Sequence, residues 1–116
     1  MSRDVVYLRH IMDEIQFLRS CSRGLSLEGL KQDPVMQRAF IRSLEVIGEA
    51  VKNLSDHLRE EHTDIEWRKV AGLRDKLIHH YFEVDWNVVW DVVTNRLPVL
   101  EVRLRTIVVN LQDAQG

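Results

Sequence analysis

Cysteine, proline, glycine and long apolar runs are all scarce in this chain of 116 residues. The single cysteine, Cys21, has no partner for an internal disulfide, and one thiol cannot supply a zinc-ribbon or thioredoxin-like spacing. With five glycines, two prolines and little alternation of apolar and polar residues, a sheet and its turns have little to be built from. No apolar run approaches the ~20 residues needed to cross a bilayer, and Met1 is followed by Ser2, Arg3 and Asp4 rather than by an apolar leader. A cytoplasmic protein without membrane contact is expected. Charge of one sign is not in excess either: sixteen Lys and Arg face eighteen Asp and Glu, for a net charge of −2. No long-range field gathers nucleic acid or anionic lipid, so any anion site must be local.

What is present reads as helix. The content is 45% hydrophobic and 29% charged, enough for one core in a chain of single-domain length, and one helical domain over residues 1–116 is expected. Val5, Leu8, Ile11, Met12, Ile15 and Leu18 recur at three- and four-residue steps, which predicts a helix from Ser2 to about Arg19, with Gly24 as its stop. Residues 25–32 form a short connector. Asp33-Pro34 then reads as an N-cap and a first helical proline, opening a second helix to about Leu58 with Met36, Phe40, Leu44, Ile47, Val51 and Leu54 on its apolar face. Gly48 and Ala50 offer small surfaces where another backbone could approach.

The polar stretch Arg59–Asp64 is expected to be a loop, with Asp64 capping a third helix over 65–80. Asp85 caps the next element, and a last apolar stripe from Val89 to Leu111 predicts a long helix bent or divided near Pro98. The predicted fold is therefore all-α, an antiparallel up-and-down bundle of four principal helices plus a short connector helix.

Several sites are excluded by inspection, since there is no glycine-rich phosphate loop, Gly-x-Ser-x-Gly, His-Glu-x-x-His or EF-hand run. Ser55-Asp56-His57 are neighbours on one helix that point in three directions, and His57 with His62 lacks a third ligand at metal spacing. The segment "GLRDKLIHHYFEVDW", residues 72–86, is different. Arg68, Lys69, Arg74 and Lys76 against Asp75 leave residues 68–80 at +3, and His79, His80 and Tyr81 follow directly. Arginine offers a bidentate fork for phosphate, histidine exchanges a proton near neutrality, and tyrosine adds a hydroxyl and a stacking face. These are the parts of a metal-free ribonuclease. The competing reading is a helix closed by basic residues that complement its dipole. On one straight helix, at about 100° per residue, Tyr81 falls about 20° from Arg74 and His79 about 140° away. Convergence therefore requires the helix to unwind near His79, a second copy of the chain across a two-fold axis, or both.

These residues resemble the HepT-like toxins of the HEPN superfamily, whose signature Arg-x4-His-x-Tyr is matched by Arg74, His79 and Tyr81. The segments "RSLEVIGEAVKNLS" at 42–55 and "VDWNVVWDVV" at 84–93 are similar to the family's flanking sequences, and the likeness spans roughly residues 4–111. His80 stands where the family often has a small polar or acidic residue. The resemblance implies the toxin of a type VII toxin–antitoxin pair, a homodimer whose two motifs share one cleft. It implies RNA cleavage without metal or cofactor, with Arg74 and His79 catalytic and Asp75, Lys76, His80 and Tyr81 supporting. It also implies an MntA-like nucleotidyltransferase antitoxin that transfers AMP to Tyr81, and a toxin–antitoxin complex that can be larger than the homodimer. Two other readings stand beside it: a nucleotide-binding module that uses Arg74 on a phosphate without cutting, and a helical scaffold whose basic patch holds an acidic partner.

Overall fold

The computed structural model describes residues 3–80 and 83–115, except for the side chains of residues 78–80 and 115. Helix α1 (Arg3–Arg23) follows its apolar stripe, with Val5, Leu8, Ile11, Ile15 and Leu18 buried, and ends at Gly24. Gly24 does so without a left-handed conformation, since no described residue has a positive φ. The connector is α2 (Leu27–Lys31), capped by the Ser26 side chain. Asp33 caps α3 (Pro34–Lys52), its carboxylate accepting from the backbone N–H groups of Val35 and Met36, as its sequence position predicts.

Three residue pairs across helices set the directions of the bundle. Asp4, at the start of α1, accepts from the backbone N–H and the hydroxyl of Ser55, just beyond α3, at 2.8 and 2.7 Å. Near the middle of both helices the Ser43 hydroxyl donates to the Glu14 carboxylate at 2.8 Å, so α1 and α3 are antiparallel. Arg19, late in α1, pairs with Glu101, early in α8 (Leu97–Gln115), at 2.6 Å, so those two are antiparallel as well. The buried residues gather between these helices, with Phe40, Leu44, Ile47 and Leu104 all fully enclosed. Each such side chain contributes about 1.5–3 kcal/mol of transfer free energy, which makes this trunk the principal source of stability.

Four boundaries differ from those predicted. The second helix stops at Lys52, and Ser55 starts a separate α4 (Asp56–Glu61) by accepting from the Leu58 N–H. The apolar stripe continued across the break because Leu54 and Leu58 are both buried, and burial alone does not distinguish one helix from two. Arg59–Glu61, expected in a loop, are therefore helical. Asp64 caps nothing. Its carboxylate and carbonyl instead hold Arg103 of α8 at 3.1 and 3.0 Å, and the capping position falls on Glu66, whose side chain makes no cap bond.

The predicted third helix is broken into α5 (Trp67–Ala71) and α6 (Leu73–Leu77), and the chain then becomes extended as β1 (Ile78–His80), pairing antiparallel with β2 (Glu83–Val84). This two-stranded ladder is a local departure within an otherwise all-α bundle. Asp85 caps α7 (Trp86–Asp91) through the Val88 N–H, as predicted.

The irregularity expected near Pro98 lies just before it, as a π-helical turn over Val92–Arg96 that joins α7 to α8. Pro98 has no N–H to return to the preceding turn, and its ring crowds the carbonyl there, so widening that turn relieves the conflict without ending the helix. Asp91 spans the wide turn, accepting from Asn95 at 2.8 Å and Arg96 at 3.1 Å. No described helix is long and apolar enough to cross a membrane.

Candidate active site

Arg74 owes its place to a close approach of backbones. A Cβ added at Gly48 of α3 would lie 2.7 Å from the Ala71 carbonyl oxygen at the end of α5, a separation that real side chains do not tolerate. Gly48 is therefore occupied within the chain. The backbone approach that its small size allows is made by this chain's own α5, so it gives no argument for a dimer. One helical turn before Gly48 stands Glu45, and three residues after Ala71 stands Arg74, so the seam brings these two side chains together. Leu77, almost fully buried, anchors the far end of α6.

The Arg74 guanidinium forms an ion pair with Glu45, Nε lying 3.0 Å from Oε1, and its side chain is 51% exposed. Asp75 approaches only Nη1, at 3.6 Å, beyond hydrogen-bond distance. The other carboxylate oxygen of Glu45 is 3.7 Å from Arg42, one turn earlier on α3. An ion pair this exposed contributes only about 0–1 kcal/mol to stability, so orientation is its larger effect. Arg74, Asp75, Glu45, Arg42, Tyr7 and His10 lie along a groove of about 570 Å³. Tyr7 and His10 meet edge to face, with centroids 6.2 Å apart.

The basic patch read from sequence is not one surface. Arg74 and Asp75 line this groove, whereas Lys76 lines a second one of about 900 Å³ between α5–α6 and the α7–α8 helix. Two helical positions differ by about 200°, which separates Arg74 from Lys76 on opposite sides of α6. Lys69 is paired with Glu66 at 2.5 Å, and that contact is the main cause holding the Glu66 carboxyl below its usual range. The local charge is thus divided and partly neutralised.

The helix ends before His79, which is one of the routes to convergence that the spacing allows, and the backbone at His79 and His80 is extended in β1. Helical angles no longer apply there. The side chains of His79 and His80 and all of Tyr81 lie outside the described residues, so the structure places the arginine of the motif and the backbone that carries its histidines. Among the described residues no group of three His, Cys, Asp or Glu side chains has the arrangement of a metal site. Ser55 caps α4, Asp56 pairs with Arg59, and His57 faces Glu61 at 2.9 Å, so that run forms surface contacts along α4.

Sequence reasoning missed Glu45 and the ring pair of Tyr7 and His10, because nothing local links them to Arg74. It also missed Glu101, a carboxylate 1% exposed in the apolar face of α8. A signal existed for that residue: Glu101 lies four positions after Leu97 and three before Leu104, on the buried stripe itself.

The fold and groove define an all-α bundle with an arginine oriented at a surface trough beside the Arg-x4-His-x-Tyr segment. The profile of the family described as "Ribonuclease HepT-like" matches residues 11–107, and the chain belongs to this family. It is 48% identical over 101 residues to a protein of Caldanaerobacter subterraneus named "Putative RNase", covering 87% of this chain and 90% of that one. It is also 41% identical to the "Probable ribonuclease HepT" of Thermococcus cleftensis, covering 82% and 86% of the two chains. A Methanocaldococcus jannaschii protein, again named as an RNase of this standing, is 33% identical over 96% of this chain and 97% of its own. No solved structure matches the chain.

Proposed function

We propose that the protein is a metal-independent endoribonuclease, the toxin of a toxin–antitoxin pair, acting through Arg74, His79 and Tyr81. The observation that carries this reading is the half-exposed Arg74 guanidinium, oriented by Glu45 at a groove and followed by an extended segment bearing His79. The names of its relatives as ribonucleases support the same chemistry. In the reaction the ribose 2′-oxygen attacks the adjacent phosphorus while the bond from phosphorus to the 5′-oxygen breaks. This leaves a cyclic phosphate and a free 5′-hydroxyl. His79 takes the proton from the 2′-hydroxyl and supplies one to the departing 5′-oxygen, and Arg74 steadies the charge on the phosphate oxygens. Single-stranded or looped RNA is the expected substrate class. A homodimer supplies two motifs to one cleft, and an MntA-like nucleotidyltransferase silences the enzyme by transferring AMP to Tyr81. The added phosphodiester then competes with RNA for Arg74.

Cleavage of a labelled RNA in excess EDTA, with end-group analysis of the products, tests the activity. Arg74→Ala and His79→Ala should each lower the rate by about 10²–10⁴-fold while the helical circular dichroism is retained. Wild-type rates in both variants, or cleavage that stops with EDTA, sink the reading. Co-expressed antitoxin should fail to silence Tyr81→Phe, and a monomer in sedimentation at micromolar concentration would remove the shared cleft.

A further inference from the structure

We propose that Glu45 is a positioning residue for Arg74, orienting the guanidinium that the reading above places on the scissile phosphate; the inference rests on that reading. The carboxylate sits against the Nε edge of Arg74 at 3.0 Å, and Asp75 reaches Nη1 only at 3.6 Å. Nη2 has no ion-pair partner among the described residues, so the outer edge of the fork is left for a phosphate. A flexible arginine with a free Nε would sweep many rotamers, and each would have to be lost again when the transition state forms.

Glu45 is itself restrained. It lies on the long helix α3, is two-thirds covered, and has Arg42 beside its second oxygen at 3.7 Å. Arg42 also offsets the negative charge that Glu45 would otherwise present to an incoming RNA. The Gly48–Ala71 seam fixes the distance between the two helices one turn away, so the orientation of Arg74 is set from the trunk rather than from its own five-residue helix.

A residue that orients a transition-state contact affects the chemical step, whereas one that only holds the fold affects everything together. Glu45→Ala should lower kcat on an RNA oligonucleotide by about 10–100-fold with KM little changed, because the loss falls on a contact that strengthens only in the transition state. Glu45→Gln, which keeps an oxygen at the same place, should recover part of the loss. In an Arg74→Ala background, Glu45→Ala should have no further effect, because its influence passes through the guanidinium. A Glu45→Ala variant as fast as wild type, or one equally damaging with and without Arg74, overturns the inference while leaving the nuclease intact. A wild-type rate in Arg74→Ala alone overturns the underlying reading instead.

Discussion

The trunk of α1, α3 and α8 and the stretch from Ile65 to Val84 use the chain in opposite ways. In the trunk, helices of 21, 19 and 19 residues bury regular stripes against one another. In the other stretch, two helices of five residues each and a minimal two-stranded ladder follow one another with hardly any regular repeat. Helices that short do not persist alone in water, where roughly 12–15 residues are marginal, so their conformation is imposed by the surface they lie on. The buried anchors of this stretch among the described residues are Ile65, Trp67, which also donates to the His62 carbonyl at 2.9 Å, and Leu77, together with the Gly48–Ala71 approach. The motif is carried by the part of the molecule that depends most on the rest. On the proposed reading, a site that must release a product gains from lying outside the most stable unit while its arginine is paired to that unit, as Arg74 is with Glu45.

The comparison can be broken most forcefully in the trunk. Phe40 is fully buried, and Phe40→Ala should lower unfolding stability by about 3–5 kcal/mol, measured by denaturant titration, with the cleavage rate per folded molecule nearly unchanged. An equal loss in rate among folded molecules would mean that the two regions are not separable. Gly48→Ala lies on the boundary. Its new methyl group would press on a backbone carbonyl, forcing α3 and α5 apart at a cost of about 1–3 kcal/mol. Its effect on cleavage should exceed its effect on stability, because the same shift separates Glu45 from Arg74; an unaltered rate would show that the seam does not set the site.

The smallest effect concerns the π-helical turn. The Asp91 carboxyl is held below its usual range by the hydrogen bonds from Asn95 first and Arg96 second. Because the folded value is the lower one, the stabilisation is present above the ordinary aspartate range and is lost as pH falls through the depressed value. The difference in melting temperature between wild type and Asp91→Asn should therefore be small at neutral pH and vanish in acid. A gap that widens in acid would contradict this assignment.

Much of the trunk was legible from residues alone. Asp33 and Asp85 were readable as caps because a side chain two or three positions from a free N–H needs no tertiary partner. Ser55 was not, since its capping role competes with the continuing apolar periodicity and is reinforced by Asp4 from the far end of α1. Asp64 failed as a predicted cap for the converse reason: Arg103, distant in sequence, takes its carboxylate. In the site, the order of Arg74, His79 and Tyr81 was readable, and helical spacing offered unwinding near His79 or a second copy of the chain as routes to convergence, but the pairing of Arg74 with Glu45 was not readable.

The sequence by itself determined the all-α class, the stripes that become the trunk and two of the caps. These are properties of periodicity and of contacts within a few positions, which any isolated segment already contains. Only the tertiary structure decided that the third predicted helix would break into α5 and α6 against the trunk, that Gly48 would receive a carbonyl, and that Glu45 would meet Arg74. Each of those outcomes depends on two segments far apart in the chain reaching the same point in space. That distance is fixed by how the whole core packs, and no local run of residues contains it.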